Sequence, residues 1–134
     1  MKQFSFHKKE KLKSRKLTDK LFAEGRSFTV FPIKVFYTFS DEALDFPVKT
    51  GVGVSGRNFK KATDRNRIKR LLREAFRIQK EELIQIAKSN HKYVGVFLLY
   101  LDKTLPEFNV LKTTMHKALQ KLSTKIGEIP SANN

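Results

Sequence analysis

Asp64-Arg-Asn-Arg-Ile-Lys-Arg-Leu-Leu-Arg-Glu-Ala-Phe-Arg77 is the stretch on which the architecture turns. Ile68, Leu71, Leu72, Ala75 and Phe76 recur at i, i+3, i+4, i+7 and i+8, the spacing of a helix laid on a core. Asn66, Lys69, Arg70, Arg73 and Arg77 repeat that spacing on the opposite side. At ~1.5 Å of rise per residue, Arg65 to Arg77 carries a basic ridge of roughly 18 Å, long enough to meet several phosphates in a row. A solvated basic face is the plain alternative, and two details argue against it. With Asp64 as N-cap, Arg65 and Arg67 fall in the first helical turn, where the dipole favours acids and each cation costs about 0.3–1 kcal/mol. Arginine also dominates the ridge, and its planar fork grips phosphate at two points.

Outward from this helix the pattern changes to strands. Ile33-Lys-Val-Phe-Tyr-Thr-Phe39 alternates strictly after Pro32, and Val48 to Ser55 continues in the same register of faces. Ile33, Val35, Tyr37, Phe39, Val48, Val52 and Val54 form the expected core side. Lys34, Phe36 and Thr38 lie beside Lys49, Gly51, Gly53 and Ser55 on the other, a shallow floor suited to a single-stranded nucleic acid, with an aromatic to stack a base. Phe28 to Val30 reads as a further short strand, and Tyr93 to Leu101, apolar without alternation, as a central strand covered on both faces.

Helices close both ends. Leu17, Leu21 and Phe22 predict a short first helix stopped by Gly25 and capped by Ser14 or Thr18, and Phe108, Leu111, Met115, Ala118, Leu119 and Leu122 predict a last one. Thr104 and Glu107 read as its capping box. The expected order is α-β-β-β-α-β-α, an α+β two-layer sandwich in one domain over residues 14–126, with a flexible basic arm at 1–13 and a frayed tail at 127–134.

The 134 residues are 40% hydrophobic and carry a net charge of +15. Residues 1–26 hold nine Lys/Arg against three Asp/Glu, and residues 57–80 ten against two, so fourteen of the fifteen net charges lie in two blocks. Localisation of that kind marks a binding footprint for a polyanion. An anionic membrane is the weaker partner, because the basic helix commits its apolar face to a core and the chain has no Trp. No apolar run approaches ~18 residues, the start lacks a signal-peptide core, and cysteine is absent, so a cytoplasmic protein without disulfides is expected.

Protein-borne catalysis finds little support. Asp41, Glu42 and Asp45 fall in a loop, Glu81 and Glu82 on a helix tail, and Asp102 and Glu107 around a turn; His7, His91 and His116 are scattered. Gly51, Gly53 and Gly56 imitate a phosphate loop, but the two-residue period keeps the first two in a strand and no Gly-Lys-Ser/Thr follows.

Arg65-Asn66-Arg67-Ile68-Lys69-Arg70, continued through Arg73 to Arg77, resembles the signature of the bacterial ribonuclease P protein component. Val52 to Ser55 and Arg57 to Ala62 resemble the strand and connector before that signature, and Leu21 to Gly25 the end of the family's first helix; the likeness spans roughly residues 8 to 125. The resemblance implies a left-handed β-α-β crossover, where general chirality favours the right-handed one. It implies the protein subunit of a ribonucleoprotein endonuclease that removes the 5′ leader of precursor tRNA, with the active site and its Mg2+ carried by the RNA subunit. By the same likeness, Arg65, Asn66, Arg67, Lys69, Arg70 and Arg73, with Arg57, Lys60 and Lys61 beside them, bind the RNA subunit. Phe22, Lys34 and Phe36 line a cleft for the leader. The implied partners are ribonuclease P RNA and precursor tRNA, with no membrane and no obligate protein partner. A ribosomal or general RNA-binding protein, and a metal-dependent nuclease, are the rival readings.

Overall fold

In the computed structural model, which describes residues 8–128, the chain runs α1 (Arg15–Glu24), β1 (Arg26–Val30), β2 (Ile33–Phe39), β3 (Val48–Val54), α2 (Ala62–Arg77), α3 (Glu81–Ser89), β4 (Val94–Tyr100) and α4 (Phe108–Glu128). Ser14 caps α1, its Oγ accepting from the Leu17 N–H at 3.2 Å. Gly25 ends α1 because nothing larger fits: a Cβ there would stand 2.2 Å from the Leu21 carbonyl oxygen.

The sheet order is β1-β2-β4-β3, with β2 antiparallel to both neighbours and β3 parallel to β4. A parallel pair needs a crossover, and α2 with α3 supplies it. Strand alternation then decides which layer each residue serves. Val35 and Leu98 stand in register and face Ile68, Leu72, Phe76, Met115 and Leu122 of the helices beneath. Burying each of these large side chains stabilises the fold by about 1.5–3 kcal/mol. The other face receives α1. Leu17 lies 3.1 Å from where a Cβ on Gly95 would point, so α1 sits down on β4 at that glycine and adds a partial third layer to the expected sandwich.

Several local expectations change. The residues read as the tail of one helix open another, α3, with Glu81 and Glu82 in its first turn, where carboxylates favour the dipole, and Leu83, Ile84 and Ala87 buried. The observed order is therefore α-β-β-β-α-α-β-α. Asp64 is not the N-cap of α2. Lys61 holds that position and Asp64 lies inside the first turn, so the acid is favourably placed and the arginines follow it. The Thr104–Glu107 box does not form: α4 begins at Phe108, and the Thr104 carbonyl instead accepts the Tyr100 hydroxyl at 2.7 Å. Tyr93–Leu101 is not covered evenly, since Phe97 and Leu99 are only half-buried on the α1 side.

Of the basic arm expected over residues 1–13, residues 1–7 lie outside the described residues. Residues 8–13 lie along the outer edge of β3. Lys11 bridges Thr50, the Leu12 N–H donates to the Thr50 carbonyl at 3.0 Å, and Glu10 forms a buried ion pair with Lys80 at the α2–α3 junction. Of the expected tail, Gly127 and Glu128 close α4, and residues 129–134 lie outside the described residues.

Removing one partner of a buried pair exposes the other to its full desolvation cost. Glu10→Ala is expected to destabilise the protein by about 3–5 kcal/mol, and Glu10→Leu with Lys80→Met to recover most of that, read from urea midpoints. A second expectation concerns Tyr100, whose phenol is pushed up to about 12 by burial and by the Asp102 carboxylate. Its folded-state value lies above the ordinary one of 10.0, so its contribution is complete below pH 10 and lost as pH rises towards 12. Tyr100→Phe should flatten the alkaline limb of a stability–pH curve.

Candidate nucleic-acid interface

α2 turns its basic side outward because Ile68, Leu72, Ala75 and Phe76 are fully buried. Asn66, Arg67 and Arg70 are exposed, and Arg65, Lys69 and Arg73 half-buried. Among the described residues, no carboxylate lies within 4.0 Å of Arg67, Lys69, Arg70 or Arg73. Arg77 differs. Its Nε donates to Glu74 Oε1 at 3.0 Å and a terminal nitrogen to Oε2 at 2.5 Å, which lowers the Glu74 carboxyl below its ordinary value against the opposing effect of burial. The open ridge therefore ends at Arg73.

Arg65 is engaged within the protein. One guanidinium nitrogen donates to the carbonyls of Phe59 and Lys60, both at 2.8 Å, so the side chain folds back onto the connector that precedes α2. That connector is further pinned by the Asn58 amide on the Leu101 carbonyl at 3.0 Å and by Phe59, buried 6.2 Å from the Tyr100 ring. Arg57, Lys60 and Lys61 are thus presented, exposed, from a fixed loop beside the ridge.

Phe22, Lys34 and Phe36 also come together, on the other face of the sheet. The Phe22 ring meets Phe36 edge-on at 5.4 Å, and the Lys34 ammonium stands 5.0 Å from the Phe36 centroid. Phe22 is 52% exposed. The third ring is Phe97, which the sequence pattern does not single out: it lies 5.3 Å from Phe22 and 6.4 Å from Phe36. Register explains the arrangement. Phe36, Phe97 and Gly51 stand in one row across β2, β4 and β3. A Cβ on Gly53 would come within 2.5 Å of the Phe97 ring, and one on Gly51 within 3.1 Å. The glycines expected to leave the floor bare leave room for that ring instead. The signal lies in the parity of the strands, but β4 shows no alternation to read it from.

Ridge and aromatic floor are consequently not side by side. They occupy opposite faces of the sheet and meet only around the edge of β3, where residues 11–13 run. Lys11, Lys13 and Arg73 line a pocket of about 230 Å3 over the backbone of Thr50, Gly51 and Val52. Among the described residues no three His, Asp or Glu side chains gather as a metal site, and several of the acids are instead engaged as partners: Glu42 with Lys16, Asp41 with Lys20, and Asp45 with Lys49.

Residues 6–123 match the family model for ribonuclease P. The chain belongs to the ribonuclease P protein family. It is 31% identical to the ribonuclease P protein component of Porphyromonas gingivalis, over 96% of this chain and 92% of the relative, and 30% identical to that of Chlorobium phaeobacteroides, over 88% of each. Its fold matches the ribonuclease P proteins of Thermotoga maritima (TM-score 0.64, 23% identity, 84% of this chain and 96% of the other) and Staphylococcus aureus (TM-score 0.64, 16% identity, 85% and 94%). Ribonuclease P proteins are components of a tRNA-processing ribonucleoprotein endonuclease, which implies an RNA partner for the chain. No described helix is long and apolar enough to cross a membrane.

Two ridge variants separate anchoring from support. Arg73→Ala should leave the melting temperature within a degree or two and lower the slope of log affinity against log salt by about 0.7–0.9. Arg65→Ala should in addition release the connector, read as faster amide hydrogen exchange over residues 57–61.

Proposed function

We propose that this chain anchors the catalytic RNA of ribonuclease P with the α2 ridge and its connector, and holds the 5′ leader of precursor tRNA on the face of Phe22, Lys34, Phe36 and Phe97. The anchoring set is Arg65, Asn66, Arg67, Lys69, Arg70 and Arg73, with Arg57, Lys60 and Lys61 from the connector. Arg65 acts there partly through the loop it ties down. The observation that carries the reading is the contrast between cations. Lysines 16, 20, 49 and 80 have carboxylate partners, whereas Arg67, Lys69, Arg70 and Arg73 lie along one helix side with none among the described residues.

Hydrolysis is assigned to the RNA subunit with its Mg2+. The protein's part is electrostatic: basic side chains spread over roughly 12 Å from Arg65 to Arg73 offset the repulsion between phosphates of two RNAs brought close together, so substrate and metal ion bind more tightly. On the cleft side, aromatic rings stack leader bases without demanding a particular sequence, and Lys34 meets the backbone. The protein works with its RNA in the cytoplasm on this reading, and needs no obligate protein partner. A general RNA-binding protein is the competing assignment, since open cations and exposed aromatic rings suit any such module.

Reconstitution decides between them. Mixed with ribonuclease P RNA at low magnesium, the chain should accelerate removal of the leader from precursor tRNA; a general RNA-binding protein would not, and a protein nuclease would cleave without the RNA. Phe22→Ala tests the cleft, because an exposed ring contributes little to the fold. It should weaken binding of leader-bearing precursor by about 1–3 kcal/mol per base unstacked, leave mature tRNA unaffected, and leave the urea midpoint nearly unchanged.

A further inference from the structure

β3 is an edge strand, and an edge strand presents unpaired backbone groups. The arm covers that edge at one point. Lys11 bridges Thr50, the Leu12 N–H donates to the Thr50 carbonyl, and among the described residues no further bridge follows. Backbone groups along a strand point to alternate sides, so Val52, two residues beyond Thr50, turns its N–H to the same outer side, where the arm has already left. The gap so opened is the pocket of about 230 Å3 bordered by Lys11, Lys13, Thr50, Val52 and Arg73. Three elements meet there: the arm, the edge of β3 and the end of the α2 ridge.

Thr50 is the anomaly in that lining. It is 2% exposed, and its hydroxyl has no hydrogen-bond partner among the described residues. Buried hydroxyls are nearly always paired, and an unmet one is a cost that valine, the residue at 48 and 52 on the same strand face, would not carry. The plain reading takes the lysines as edge charges that keep other strands from pairing with β3. It accounts for Lys11 and Lys13 but not for the hydroxyl or for Arg73 beside it. The same two lysines also border a neighbouring cavity of about 260 Å3, but that one holds the carboxylate of Asp45 and no arginine.

We propose that this notch is a discrete phosphate site. Lys11, Lys13 and Arg73 supply the charge, the Val52 N–H supplies a fixed donor, and an oxyanion seated over the Thr50 backbone provides the acceptor that the Thr50 hydroxyl lacks. Its occupant is one backbone phosphate of the catalytic RNA, because Arg73 ends the ridge and a strand lying along α2 reaches the notch next. The inference rests on the anchoring role proposed for the ridge and adds to it a site built by the arm and β3.

Inorganic phosphate is the direct probe. Titrated into the free protein, it should move the Val52 and Leu12 amide resonances along a saturable curve, and Lys11→Gln/Lys13→Gln should abolish that curve. Affinity is then measured across a salt series for the catalytic RNA alone and for precursor tRNA on the assembled holoenzyme. With the catalytic RNA, the double lysine variant should lower the slope of log affinity against log salt by up to about 0.7–0.9, the value for one phosphate. Thr50→Val should lower that affinity about five- to tenfold with the slope unchanged, because a hydroxyl carries no charge, while its urea midpoint stays level or rises. A merely structural Thr50 would change the midpoint alone. No saturable shift at Val52 in the unsubstituted protein, or undiminished RNA affinity in both variants, overturns the inference. A loss confined to leader-bearing precursor overturns the assignment to the catalytic RNA. Arg67→Gln/Arg70→Gln separates the two proposals: if it alone loses affinity, the ridge stands and the notch falls, and if only the notch variants lose it, the notch stands and the ridge falls.

Discussion

β4 carries the architecture because its two faces answer to different demands. Val94, Val96, Leu98 and Tyr100 are buried against three helices, and this face ties β2, β3, α2, α3 and α4 into one core. The other face is graded: Gly95 admits Leu17 of α1, and two residues later Phe97 lies across the glycines of β3. A bulkier residue at 95 would lift α1 from the sheet, and a side chain at 53 would lift the Phe97 ring. Both changes act on the floor of the cleft while leaving the helical core in place. The aromatic cluster is therefore a product of close approach between backbones, and glycine at 51, 53 and 95 is a packing requirement.

The charge distribution follows a comparable division. Cations that support the fold are paired: Lys80 with Glu10 in the interior, Arg77 with Glu74 at the end of α2, Lys49 with Asp45 beside the sheet. Arg67, Lys69, Arg70 and Arg73 have no carboxylate partner among the described residues, and the cost of concentrating them is moderated by solvent and by counterions. Arg65 stands between the two groups. Its guanidinium holds the connector by two carbonyls, so the loop that carries Arg57, Lys60 and Lys61 keeps its shape through a residue of the ridge itself.

What can be read from the chain alone is what repeats. The 3.6-residue period of α2 and the alternation of β2 identify the core face, and the basic ridge with it. What escapes depends on contacts between distant positions. The arm is held by a pair separated by 70 residues and by a single bridge to Thr50, neither of which has a local signature. Phe97 belongs to the cleft only by virtue of its register with Phe36 and Gly51. The break between α2 and α3 is hidden because no Gly or Pro stands at residues 77–82, while the signal that marks it, Glu81-Glu82 at a new first turn, passes equally for the tail of one helix. Asp64 misleads for the same kind of reason. An Asp before a basic run suits an N-cap and a first-turn position alike, and the choice is made by Phe59, buried upstream.

On the proposed assignment, placing ridge and aromatic floor on opposite faces changes how a leader and a catalytic RNA are brought together. A strand leaving the aromatic floor must turn around β3 to approach α2, and the turn is lined by Lys11, Lys13 and Arg73. Two of those three cations, Lys11 and Lys13, reach the edge only while residues 11–13 lie on it. Glu10 and Lys80 hold them there through a buried ion pair, which makes the charge of that edge depend on the interior of the fold.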